Sequence, residues 1–226
     1  MDWFKVLDEY CERVSPSFWS EPLNAISNIS FLIAAYFAFR LTMKQQGNGK
    51  GGYWLSAILV TVGLGSFLFH TFANLWSMFA DIIPIYLFQI TLIGLYGAAF
   101  ATFYRKPKIL GILILFIIFF GLTIIFSRFP REILNGSLSY ASALIMLLLI
   151  AGHQYRISSR QHVTLFIATT LFAIAIVFRT VDSQICNHFV FGTHFLWHSI
   201  DGIVLYLAIS AYIDLVGRKG LLSHDI

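Results

Sequence analysis

Residues 193–215 read THFLWHSIDGIVLYLAISAYIDL, and the character of this stretch decides the fold. A helix needs about 20 largely apolar residues to cross a hydrocarbon core about 30 Å thick, and the run supplies them. Its polar groups His194, His198 and Asp201 are gathered in the first turns instead of being spread along it. Six further apolar runs precede it, at roughly 24–43, 54–70, 78–103, 109–127, 136–152 and 163–180. Turn-forming or polar segments such as QQGNGKGG, TFANLW, YRKPK and SRFPREILN separate them. The expected fold is an all-α integral membrane protein. Residues 1–226 are read as one seven-transmembrane-helix bundle, with 1–23 as an N-terminal segment before the first span.

Composition agrees. The 226 residues are 58% hydrophobic and 12% charged, with 23 Phe, whereas soluble domains carry about 25% charged residues. Seven spans use up nearly the whole chain, so no soluble domain is expected beside them. The opening MDWFKVLDEYCERV lacks the basic patch and continuous apolar core of a signal peptide and is read as mature protein. The net charge is +4, but the basic residues are scattered through loops. They form no stripe interleaved with exposed aromatics, so a nucleic-acid partner is excluded and the expected partners are lipids. The two cysteines, Cys11 and Cys186, match neither a disulfide-dense scaffold nor a Cys-type zinc site.

The charges instead predict topology. With seven spans, Arg40, Lys44, Lys50, Arg105, Lys106, Lys108, Arg156, Arg160, Arg218 and Lys219 fall on the C-terminal side, ten in all. Lys5, Arg13, Arg128, Arg131 and Arg179 fall on the other, five in all. The positive-inside rule then makes the C-terminus cytoplasmic and the N-terminus extracytoplasmic or luminal. Cys11 and Cys186 come to the same non-cytoplasmic side, where an oxidising compartment permits pairing; position alone leaves open whether they pair.

Ionisable residues inside spans cost roughly 2.5–3.5 kcal/mol each on insertion scales, so each calls for a reason. His70 ends the second run, Asp81 opens the third, and His194, His198 and Asp201 open the seventh, all toward one membrane face. His194 and His198 are four apart, which turns both imidazoles to one side of a helix at a metal-chelating spacing. Such a pair alone is weak evidence, since two histidines hydrogen-bonded to neighbouring helices are the commoner case. Ser66 lies one turn before His70 and faces the same way, and Asp81 follows after a tight turn. A third histidine at the same depth gives three zinc ligands with the fourth position open, the pattern of a catalytic site. Asp201 is either an orienting partner of a ligand imidazole or a separately paired carboxylate. His153, His162, His188 and His224 are read as surface groups in loops or the tail.

Together, Ser66-xxx-His70, Asp81 eleven residues on, and His194-xxx-His198 in the last span resemble the alkaline ceramidases. These belong to the wider CREST superfamily of seven-helix membrane hydrolases, which includes the adiponectin receptors. The resemblance runs from the YCER and FWSEPLNAISN segments to the final span. It implies a zinc ion on His70, His194 and His198 with Ser66 and Asp81 beside it. It also implies a disulfide between Cys11 and Cys186, and calcium held by an acidic segment that Glu9-Tyr10-Cys11-Glu12, Glu21 and Asn24 resemble. Tyr10 stands where that family has Trp, and Val14 where it has Asn. Oxygen ligands of this kind suit calcium. The expected activity is hydrolysis of a ceramide-like N-acyl lipid to a fatty acid and a sphingoid base. Asp81 would move the proton and Ser66 would hydrogen-bond the carbonyl oxygen.

Other classes fit less well. An adiponectin-receptor-like receptor, or a membrane hydrolase of another lipid, shares the zinc pattern, though no substantial soluble terminal domain for signalling is visible. A transporter or proton channel would string its ionisable residues through the bilayer. A haem protein cannot ligate both faces of one haem from two histidines four apart on one helix.

Overall fold

The computed structural model describes residues 2–45, 50–130, 132–157 and 160–222, the last five for their backbone alone. Arg131, His224 and the side chains of Arg218 and Lys219, which entered the readings above, lie outside the described residues. A short α1 (Pro22–Ser27) leads into α2 (Ile29–Lys44), followed by α3 (Lys50–Phe72), α4 (Leu75–Phe103) and α5 (Lys108–Phe126). After a connecting stretch come α6 (Ala141–Arg156), α7 (Gln161–Ile185) and α8 (His194–Leu222). Among the described residues seven helical units are long and apolar enough to cross a membrane, from Pro22–Lys44 to His194–Gly217. The all-α, seven-helix expectation holds.

Each helix from α2 onward packs on the next, and α8 returns to α2, so the spans close into a ring. α8 also reaches α3 and α4 across it. Burial divides the helices by role: 56% of the apolar window of α3 and of α8 is buried, against 6% for α5, whose mean hydropathy is 3.1. A helix such as α5 can present only apolar groups to lipid, whereas α3 and α8 can shelter polar ones. Leu55, Leu59, Phe88, Leu165, Trp197 and Ile209 are among the residues of the core between them.

Two local devices place the polar end of α4 against α3. Ala73 turns the chain with φ +43°. Asn74 then caps α4, accepting from the Ser77 amide at 3.2 Å while its own amide donates to Ser77 Oγ at 3.0 Å, which is a capping box. One turn beyond Ala80, Pro84 cannot donate to the Ala80 carbonyl. Gly65 of α3 packs against that carbonyl, and a Cβ there would collide with it and stand 3.3 Å from the Asp81 Cα. The absence of a side chain at Gly65 is what lets the two backbones approach.

The N-terminal segment is laid over this end of the bundle. Leu7 N–H donates to the Ala73 carbonyl at 2.8 Å, and Trp76 N–H to the Trp3 carbonyl at 3.2 Å. Cys11 and Cys186 form a disulfide. The loop before α8 bends at Gly192 (φ +63°), where a Cβ would strike the Asp182 carboxylate. Ahead of α6 the chain is less regular than a single apolar run suggests. Between Ile133 and Tyr140 the backbone is left-handed at Leu134, Asn135 and Gly136. Arg179 stabilises this shape by donating through Nη1 to the Asn135 carbonyl at 2.7 Å and to Ser137 Oγ at 3.0 Å.

Replacing Gly65 with Val is expected to force α3 from α4 at a cost of about 1–3 kcal/mol, the usual penalty of overpacking. Thermal unfolding of detergent-solubilised protein measures it, and an unchanged midpoint would contradict the contact.

Candidate metal centre

His70 is brought in by the last turn of α3, and His194 and His198 by the first two turns of α8. Their ring centroids are 4.7 Å (His70 to His198), 4.6 Å (His194 to His198) and 5.1 Å (His70 to His194) apart. One nitrogen from each lies within 4.8 Å of the others, and all three side chains are buried. Among the described residues this is the group of His, Cys, Asp or Glu side chains arranged to hold a metal ion.

The hydrogen bonds around the rings determine which nitrogens are free. His70 Nδ1 meets Glu21 Oε2 at 2.6 Å. A carboxylate only accepts, so Nδ1 carries the proton. His70 Nε2 is left as a lone pair, buried and without a partner. Ser27 Oγ donates its one proton to the Asn24 carbonyl at 2.8 Å and lies 2.8 Å from His198 Nδ1. The imidazole must therefore be the donor there, which leaves His198 Nε2 as a lone pair. His194 Nδ1 is buried without a hydrogen-bond partner. Tyr10 stacks on the His194 ring at 3.8 Å between centroids. Burial pushes the Tyr10 hydroxyl well above its ordinary pKa, so it is neutral. Lone pairs converging in a dry pocket are costly unless something binds them, and the donor set fits a divalent ion such as zinc.

Ser66, Asp81 and Asp201 line one cavity together with His194 and His198. Asp81 Oδ1 and Asp201 Oδ1 are both buried without a partner. Asp201 therefore does not orient either α8 histidine through that oxygen; Ser27 does so for His198. Beyond the polar end the cavity continues between apolar side chains, including Phe88, Ile93, Met146 and Ile150. Asp81 and Ile93 are twelve residues apart on α4, about 18 Å along the helix axis. Arg179 and Tyr140, which lie against each other with the guanidinium 5.2 Å from the ring centroid, close another side of the polar end.

The acids expected to hold calcium do not form a cage. Glu9 is exposed. Glu12 caps the N-terminus of α1, accepting from the Leu23 and Asn24 amides at 2.7 and 2.9 Å. Burial raises its carboxyl above its ordinary pKa, and those two backbone bonds offset part of the shift. Glu21 is divided between Arg13 and His70. Burial pushes the Glu21 carboxyl up, but the His70 contact, Asn24 and Arg13 together outweigh it and hold it below its ordinary pKa.

Several groups escaped the sequence reading. Arg13 and Ser27 lie in stretches read as surface segment and plain span. Asp182 lies just past the sixth apolar run, 163–180, where the sequence offers no sign of a role. It is fully buried and its Oδ1 accepts from the Thr193 and His194 amides at 2.6 and 2.9 Å. A carboxylate from α7 thus caps the helix that carries two of the histidines. His153, read as a loop residue, lies in the last turn of α6 against Phe100, with Nε2 2.9 Å from the Tyr104 hydroxyl.

A family model described as Ceramidase matches residues 8–219, nearly the whole chain, from the N-terminal segment through all seven spans. No curated protein and no solved structure matches.

If the three histidines hold a metal ion, loss of the hydroxyl in Ser27→Ala is expected to weaken its retention about 10- to 100-fold, the usual effect of removing a group that orients a metal-binding imidazole. Competition with a graded chelator measures this, and unchanged retention would remove Ser27 from the site.

Proposed function

Because the chain belongs to the ceramidase family, we propose that it is a zinc-dependent intramembrane hydrolase of the amide bond in ceramide-like N-acyl lipids. The observation that carries this reading is the juxtaposition of two features. Three buried imidazoles, of which His70 keeps Nε2 and His194 keeps Nδ1 without a partner, are close enough to hold one ion, and His194 and His198 of that group line the polar end of a cavity whose far part is apolar. His70, His194 and His198 would hold the zinc, which when bound activates water and polarises a carbonyl.

The other groups act directly. Asp81 takes a proton from the attacking water and delivers it to the departing nitrogen as the C–N bond breaks, giving a carboxylic acid and an amine. Its Oδ1 has no protein partner to compete for that proton. Ser66 donates a hydrogen bond to the carbonyl oxygen as charge builds on it. It is not the nucleophile in this reading, because His70, its neighbour one turn on, has Nδ1 committed to Glu21 and would give its other nitrogen to the metal. The apolar part of the cavity accepts a hydrocarbon tail. The site opens on the extracytoplasmic or luminal side in this reading. The excess of Lys and Arg on the C-terminal side supports that orientation, as does the Cys11–Cys186 disulfide, a bond of oxidising compartments.

His194→Ala and His198→Ala should lose both zinc and fatty-acid release from ceramide, and full zinc occupancy in both by elemental analysis would refute the ligand assignment. Asp81→Asn separates a shuttle from a ligand. It keeps shape but cannot accept the proton, so zinc should stay while hydrolysis falls by roughly 10² to 10⁴. Zinc loss in that variant would make Asp81 a ligand. Zinc retention with no fatty acid released from any N-acyl lipid, even by wild type, would favour the receptor reading.

A further inference from the structure

Calcium takes six to eight oxygen ligands at about 2.3–2.6 Å, so a calcium site needs carboxylates and carbonyls that are free to converge. The segment that would supply them contains a cation already. Arg13 is 5% exposed and lies at the centre of the segment. Its Nε donates to Glu21 Oε1 at 2.5 Å, its Nη1 to the Ser15 carbonyl at 3.1 Å and its Nη2 to the His70 carbonyl at 3.1 Å. Glu21 Oε2 is engaged by His70 Nδ1 at 2.6 Å and Asn24 Nδ2 at 3.0 Å. Both oxygens of Glu12 face the first amides of α1. Asn24 Oδ1 is buried without a partner, but one neutral oxygen is no cage for a dication.

We infer that the Arg13 guanidinium is the resident cation of the N-terminal segment, so that this chain builds its metal centre without calcium. A guanidinium stays charged at every physiological pH and offers its donors in a fixed planar fork. It therefore does from within the chain what a bound ion would do: it gathers Glu21, the Ser15 carbonyl and the end of α3 around one positive charge. A dication at the same carboxylate would meet that charge at close range in a dry site, an uncompensated repulsion. The chain of contacts runs Arg13 to Glu21 to His70, so Arg13 is a positioning residue. It holds Glu21 in place, and Glu21 keeps the His70 proton on Nδ1.

The test uses full-length protein in detergent, with calcium chloride against magnesium chloride as the probe and melting temperature and zinc retention as readouts, so it does not depend on which lipid is hydrolysed. Wild type should show no shift between calcium and magnesium. A calcium-dependent shift in wild type that disappears in Glu21→Gln would overturn the inference without any need for an Arg13 variant to fold. Arg13→Ser should lose zinc retention about 10- to 100-fold and become stabilised by calcium, because its oxygens are now free. Arg13→Lys should recover part of the retention and remain indifferent to calcium. A folded Arg13→Ser that ignores calcium would reduce Arg13 to an ordinary ion pair.

Discussion

A buried imidazole has two nitrogens, and in a membrane bundle neither can be left to water. The contact between Glu21 and His70 Nδ1, at 2.6 Å, is the one on which the rest of the structure depends. It fixes where the ring proton sits, and therefore which nitrogen turns inward. Ser27 does the same for His198 through an uncharged hydroxyl. The two orienting groups belong to one short stretch, Glu21 to Ser27, which also forms α1. That six-residue helix is too short to be stable by its own hydrogen bonds. It is held by Glu12 at its N-terminus and by packing on α3 and α8.

The N-terminal segment is thus part of the site as much as a cover for it. It supplies Tyr10 against His194, Arg13 against Glu21, and Cys11 to the disulfide. Cys11 N–H also donates to Asp182 Oδ2 at 3.2 Å, while the other oxygen of that carboxylate caps α8. One buried carboxylate therefore links the segment, the α7–α8 loop and the helix bearing His194 and His198. Groups that each cost several kcal/mol when left bare in an apolar medium are satisfied by one another.

The division of labour among the spans follows from the same constraint. Beyond Lys108 at its start, α5 exposes apolar groups, and Phe119 is its buried residue. α3 and α8 are central enough to shelter polar side chains, and Gly65 with Pro84 brings the start of α4 close enough for Asp81 to join them. Asp81 and Asp201 each keep one carboxylate oxygen, Oδ1, without a partner, and both residues line the cavity. In the proposed reaction these are the acceptors that substrate and water can reach.

By itself the sequence determined the seven helices, because about 20 apolar residues in a row leave a bilayer-spanning helix as the available solution. It also marked His70, Asp81, His194 and His198, because ionisable groups are rare in such runs and spacings of four put side chains on one helix face. It could not rank Glu9, Glu12 and Glu21, since three acids near a span end look alike until their partners are known. The partners lie far off in the chain: Glu21 is 49 residues from His70, and Ser27 is 171 from His198. Periodicity reads neighbours along a helix, whereas the first of these contacts exists only once α1 has folded onto α3, and the second only once α8 has packed against α1. The tertiary structure alone decided that Arg13 takes one oxygen of Glu21 and His70 the other. Two donors competing for one buried carboxylate are resolved by distance, which no run of residues encodes.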